Sequence, residues 1–226
     1  MRSHHPPTGF AQLPRRARWW GTAAALAMVL PAEAGRPLSV DDAGVADPGG
    51  GQLEMWWEGA RRAKGTATLA PAYSPWQGVE LGGVLARDFE GHATLQGLQA
   101  KWLWSASQQQ GCNAASSVGL LHTRHAAGNT LALNLIGTCT ATWGAMHANL
   151  GTLRTPQRQW LPAWGFAMEH ALGPATLHAE AFGQRGSAPT FQTGARWEWA
   201  PQWQIDGTIG RQGGRTLLSA GLRRGF

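Results

Sequence analysis

Long apolar runs are scarce in this 226-residue sequence. The longest, "WWGTAAALAMVL" at residues 19–30, has 12 residues, well short of the ~20 that a bilayer-spanning helix needs. Extended stretches of Ala, Leu, Glu and Lys, the usual helix formers, are also missing, which argues against a helical bundle. Glycine-rich stretches do occur, but neither "GVELGG" nor "GRQGG" sits between a strand and a helix, as a phosphate-binding loop requires. Cysteine occurs twice and only 14% of residues are charged. What the chain has in quantity is glycine, 31 residues, and tryptophan, 13.

The short apolar run follows "RRAR" at Arg15 to Arg18 and precedes "PAEAG", in which Ala32 and Ala34 occupy the small-residue positions of an A-x-A cleavage site. Residues 1–34 therefore read as a secretory signal peptide. Four of the 19 basic residues and one of the 13 acidic ones lie in it, leaving 15 against 12, a net of +3. The remaining arginines are scattered, and a secreted chain does not meet nucleic acid, so that partner class is excluded.

From Gln52 onward, runs of about ten residues alternate with turn signals, the spacing of strands. Twelve such runs can be counted, and an even number returns both ends of a closed sheet to one side. Many alternate with period two. In "TFQTGARWEWA", Phe191, Ala195, Trp197 and Trp199 oppose Gln192, Arg196 and Glu198. In "QWQIDGTIG", Trp203, Ile205 and Ile209 oppose Gln204, Asp206 and Thr208. The first strand sets Leu53, Met55 and Trp57 against Gln52, Glu54 and Glu58, and the last carries Leu218, Ala220 and Leu222 on one face.

Alternation alone fits a soluble barrel with an apolar interior or a membrane barrel with a polar one. Loop lengths and tryptophan placement favour the second. Connections after even-numbered strands are tight, apart from "SASQQQGCNA", whereas those after odd-numbered strands are longer and more charged. Trp102, Trp104, Trp143, Trp197, Trp199 and Trp203 fall near the tight-turn rim, and Trp160 and Trp164 towards the other. Indole favours the membrane–water interface, so two aromatic girdles are the expectation. The fold predicted is all-β, an antiparallel up-and-down transmembrane barrel of 12 strands. It comprises the leader 1–34, a segment 35–50 that can plug the periplasmic mouth, and the barrel 51–226.

The inward faces then supply a polar lumen: Glu54, Glu58, Gln99, Lys101, Asn134, His147, Asn149, Glu169, His178, Glu180, Gln192, Arg196, Glu198, Gln204, Asp206 and Arg223. Opposite charges on neighbouring strands are expected to pair. Arg196 and Glu198 would lie beside Asp206 and Arg223, and the plug residues Asp41, Asp42 and Asp47 near Arg223 or Arg224. Cys112 and Cys139 flank the fifth and sixth strands, and folding that hairpin brings them opposite each other at the tight-turn rim. Secretion makes a disulfide between them chemically accessible.

Chemistry beyond permeation finds little support. In "MHANLG", His147 stands two residues before Asn149, where a hydrolase would need a serine nucleophile. Glu169 and His170, with His178 and Glu180 on the next strand, resemble a carboxylate–imidazole group, but interior hydrogen bonding is its commoner use. No enzyme activity, metal or cofactor is expected. The basic loop residues Arg61, Arg62, Lys64, Arg154 and Arg158 face the outer rim. There they can contact lipopolysaccharide phosphates or attract anionic solutes to a pore mouth.

Two resemblances add to this. The final strand "RTLLSAGLRRGF", closing on Phe226, resembles the signal through which bacterial outer-membrane barrels engage the barrel-assembly machinery; Arg224 departs from the apolar residue usual there. "GRPLSVDDAGVADPGGGQLEMW" and "GRQGGRTLLSAGL" resemble a group of uncharacterised Gram-negative outer-membrane barrels, some described as transporters associated with aromatic-compound degradation. This resemblance covers most of residues 35–226 and implies a monomeric outer-membrane channel passing small polar or aromatic solutes, in contact with lipid and lipopolysaccharide. It carries over no binding residue. The alternatives are a structural barrel without transport and a soluble secreted barrel that binds a ligand.

Overall fold

A computed structural model describes residues 38–60, 64–105 and 108–226. The leader predicted for 1–34, and Arg61 and Arg62, lie outside the described residues. Twelve antiparallel strands form one closed sheet in sequence order: β1 (Gly51–Ala60), β2 (Thr66–Trp76), β3 (Val79–Asp88), β4 (Thr94–Leu103), β5 (Gly111–Thr123), β6 (Asn129–Ala141), β7 (Gly144–Arg154), β8 (Trp160–Leu172), β9 (Ala175–Gln184), β10 (Thr190–Ala200), β11 (Trp203–Gln212) and β12 (Arg215–Gly225). Closure comes from β1 pairing β12, from Gln52 opposite Gly225 to Ala60 opposite Leu217. Beyond the ladder, Gly51 and Phe226 exchange both backbone hydrogen bonds at 2.9 Å. The terminal aromatic residue thus completes the seam, and the sheet keeps no exposed edge.

Two rims differ in their connections. Where β1 begins and β12 ends, the turns span two residues (77–78, 142–143, 173–174, 201–202), except for 104–110 after β4. At the opposite rim five of the six connections span five residues (61–65, 89–93, 124–128, 155–159, 185–189). We call these the turn rim and the loop rim.

The polarity of the wall is inside out. Leu98 is 74% and Leu150 68% exposed on the outer surface, in company with Leu120, Phe166, Ile205 and Ile209. Inside, His147, Asn149, Glu169, His178, Glu180, Arg196, Gln204 and Arg223 are buried. In a water-soluble barrel such an outer face would forfeit the burial that drives folding, about 25 cal/mol per Å² of apolar surface; against hydrocarbon it forfeits nothing. The girdle candidates Trp102, Trp104, Trp143, Trp197 and Trp199 stand exposed near the turn rim. Trp160 and Trp164 stand exposed on the loop-rim half of β8. Trp203 is half-buried because the Arg224 guanidinium lies over its ring, 5.1 Å from the centroid. Arg224, on the outer face, donates to Gln202 Oε1 at 3.1 Å and so turns its charge towards the rim.

Strand boundaries differ from the sequence reading most at β5, which starts at Gly111, inside the stretch "SASQQQGCNA" read as the connection before it. "GCNAA" has turn-like composition, yet its partners on β6 extend it by five residues. The cysteines consequently lie within the strands rather than flanking them. Cys112 pairs directly with Cys139, and the two form a disulfide.

Candidate functional site

Residues 38–48 run inside the barrel and not along its outside. They enter at the turn rim, where Gly49 N donates to Ser74 O and Ser74 N to Gly50 O. The segment then reaches to mid-height along the inner faces of β5 to β10. Wall side chains bind its backbone. The Asn149 amide clamps Asp41 twice, Oδ1 accepting from Asp41 N at 2.8 Å and Nδ2 donating to Asp41 O at 2.7 Å. One carboxylate oxygen of Glu180 accepts from Ser39 N and Val40 N, at 2.7 and 2.9 Å. Thr138 Oγ1 accepts from Ala43 N at 2.9 Å. These groups supply the backbone partners that an irregular segment lacks.

Apolar contacts finish the docking. Leu38 and Val40 pack on Ala167 with Phe182 against them, and Ala43 packs on Ala115 and Ile136 beside Leu103. Both buried clusters of the described barrel therefore consist of plug residues on wall residues. Gly165 of β8 is what lets Val40 seat, since a Cβ there would lie 2.8 Å from Val40 Cγ2.

Behind the plug lies an ionic network. Arg196 makes a bidentate pair with Glu169, at 2.8 and 2.9 Å, and both are buried. His147 Nε2 stands 3.8 Å from Glu169, and its Nδ1 hydrogen-bonds Thr138 Oγ1 at 2.9 Å. His178 lies opposite Glu169 in register and fills the space over Gly194, whose missing Cβ would come within 2.8 Å of the imidazole. This corrects two expectations. Arg196 reaches over β9 to Glu169 instead of pairing with its register neighbour Asp206. His170 does not join the histidine group: it is exposed on the outer face, with Nδ1 against Trp143 O. Among the described residues no three His, Cys, Asp or Glu side chains converge as a metal site would require.

At the plug's other side Lys101 is buried and meets Asp41 Oδ1 at 3.2 Å, Asp42 O at 3.4 Å and Glu80 at 3.9 Å. Asp41 thus pairs with Lys101 rather than at the rim with Arg223 or Arg224. Arg223 donates to Gln52 Oε1 at 2.8 Å. Burial pushes the Asp42 carboxyl above the usual carboxylate range, against the pull of Lys101.

A cavity of about 960 Å³ is bordered by β1–β4, by the loop-rim parts of β5–β9 and by the plug residues Leu38 to Asp42. It extends from Gln52, one residue in from the turn rim, to Glu58, Asp88 and Gln212 near the loop rim. Glu54, Glu58, Gln99, Lys101, Asn134 and Asn149 line it; His147, Glu169, His178, Glu180, Gln192, Arg196, Glu198, Gln204, Asp206 and Arg223 do not. All of these sit on inward positions of their strands, so the predicted lumen set divides into a cavity-lining group and a group outside the cavity. Trp56, absent from that set, also faces the cavity. Its position between Glu54 and Glu58 was the available signal. Of the basic loop residues, Lys64, Arg154 and Arg158 are exposed at the loop rim, with Arg154 over the Trp160 ring.

No curated protein matches the chain in sequence. Its fold is similar to that of several solved barrels. The KdgM porin, solved in complex with disordered oligogalacturonate, has a TM-score of 0.63 at 11% identity, covering 78% of this chain and 99% of the porin. An outer-membrane channel from Pseudomonas putida F1 has a TM-score of 0.63 at 9% identity, covering 84% and 100%. The outer membrane protein Omp33 of Acinetobacter baumannii has a TM-score of 0.53 at 9% identity, covering 78% and 97%. Identities this low speak for the architecture alone. A model of one family matches residues 22–216, nearly the whole barrel and the plug before it, and the chain belongs to that family, described as uncharacterised conserved protein UCP029691.

Proposed function

We propose that this protein is a monomeric outer-membrane channel that passes small polar or aromatic solutes by passive diffusion along the cavity beside the plug. The observation that carries the reading is the 960 Å³ cavity, bordered by β1–β4, the loop-rim parts of β5–β9 and the plug, and reaching from Gln52 to the loop rim. A twelve-stranded wall falls between barrels filled by their own side chains and wide aqueous porins, and here the plug leaves a cavity of its own beside it. Gln99 and Thr68 offer hydrogen bonds to a polar solute, and Trp56 offers an aromatic face to a ring. The apolar outer surface suits lipid, the exposed arginines of the loop rim suit lipopolysaccharide phosphates, and the closing strand suits the barrel-assembly machinery.

Planar-bilayer recording tests the reading. Purified barrel should give small discrete conductance steps, and a variant lacking residues 38–48 should give steps several-fold larger. Inserted, heat-modifiable barrel that leaves the bilayer sealed in both forms would overturn the channel and leave a structural barrel. That second reading draws on the plug, which occupies the inner faces of β5–β10.

A further inference from the structure

Acidic groups outnumber basic ones along the cavity and exposed arginines gather at the loop rim, although the chain after residue 34 carries more basic than acidic residues. Arg87, Arg124, Arg154, Arg158, Arg185 and Arg211 are all exposed at or near the loop rim. Arg87 shows the geometry: it donates to His92 O and Thr94 Oγ1, both at 2.9 Å, at the loop-rim ends of β3 and β4. None of the six lines the cavity.

The cavity has the opposite character. Asp41, Glu54, Glu58, Glu80 and Asp88 line it at heights from the plug to the loop rim, besides the buried Asp42. Lys101 is the one Lys or Arg lining it among the described residues, and it is already shared between Asp41 and Glu80. A solute moving along β1–β4 therefore passes Glu58 and Asp88 near one end, Glu54 further in, and then a lysine flanked by two carboxylates. Arg223 stands opposite Glu54 in register without lining the cavity, so the excess of negative charge rests most on Glu58 and Asp88 at the loop-rim end.

We infer that the cavity is a cation-selective path, whose preferred solutes are small inorganic or organic cations such as ammonium and guanidinium compounds. The inference rests on the channel reading. Carboxylates on a narrow wall backed by apolar strands and lipid focus their field into the water between them, which concentrates cations and expels anions. The outer arginines do not cancel that field inside. Arg87, Arg154 and Arg211 stand on outward strand positions with the wall between them and the path, and ions screen those in the rim loops within about 10 Å at 0.1 M salt. The aromatic face of Trp56 beside Glu54 and Glu58 adds a second element that a cation favours.

The test is the reversal potential of inserted protein under a potassium chloride gradient, with a liposome-swelling comparison of lysine and glutamate. Wild-type protein should favour potassium over chloride by about fivefold or more at low salt, with the ratio falling as salt rises. Glu54→Gln with Glu58→Gln should lower that ratio at least twofold while conductance persists. Lysine should enter liposomes faster than glutamate, a measurement on unmodified protein that does not depend on how the variant folds. Conducting channels with a ratio near one, or with a preference for chloride or glutamate, would overturn the inference and leave the channel standing. Absence of conductance would remove the channel, and the filter with it.

Discussion

Two arcs of one wall meet the barrel interior differently. Along β6–β10 the inward polar groups bind each other and the plug: Thr138, His147, Asn149, Glu169, Glu180 and Arg196 are buried, with named partners at 2.7 to 3.8 Å. Along β1–β4 Glu54, Glu58, Thr68 and Gln99 line the cavity, which Asn134 and Asn149 also reach from the other arc. Strand geometry is the same in both arcs, and both inner faces alternate polar and small residues. What differs is how much of each arc the eleven-residue segment 38–48 engages: it bonds to β6, β7 and β9 through Thr138, Asn149 and Glu180, but meets the other arc chiefly at Lys101. Polar residues on the inner face of a barrel are therefore not of one kind. Covered, they act as a binding surface for their own chain; uncovered, they border the cavity.

Substitutions can break or sharpen that contrast. The largest effect on stability is expected from Glu169→Ala, which leaves the buried Arg196 guanidinium without its bidentate partner; breaking a buried pair in this way costs about 3–5 kcal/mol. Urea unfolding in detergent should register it, and a loss below about 1 kcal/mol would mean that the covered arc is wetter than its burial implies. Next is Gly165→Ala. Its added methyl would press on Val40 at 2.8 Å, so about 1–3 kcal/mol should be lost, and the plug should become more sensitive to limited proteolysis. Unchanged proteolysis would show that Val40 is not what holds the segment down. The smallest effect is expected in the open arc. Gln99→Ala removes an exposed polar side chain and should change stability by no more than about 0.5 kcal/mol. A larger loss would show that the two arcs are less different than the geometry indicates.

Much of the fold was legible in the chain. The number of strands, their inward and outward faces and the rim asymmetry all follow from period-two alternation and turn residues, which are local. Arg196, Glu198 and Asp206 were assignable to the inner side because Trp197 and Ile205 occupy the positions between them. The partner of Arg196 was not assignable. Side chains on the concave face converge towards the axis, so a long guanidinium passes its register neighbour and reaches a carboxylate two strands away. Asn149 shows the same limit. Its side was readable, but the backbone that it clamps lies 108 residues earlier. The start of β5 was misjudged because pairing with β6, not the composition of "GCNAA", sets its length.

By itself, then, the order of residues determined which side of the wall each group occupies and that the wall closes on Phe226. Backbone pleating imposes a two-residue period that needs no knowledge of distant segments. The tertiary structure alone decided which inward groups stay wet, because coverage depends on where residues 38–48 settle, and that is set by a few hydrogen bonds and apolar contacts between positions about a hundred residues apart.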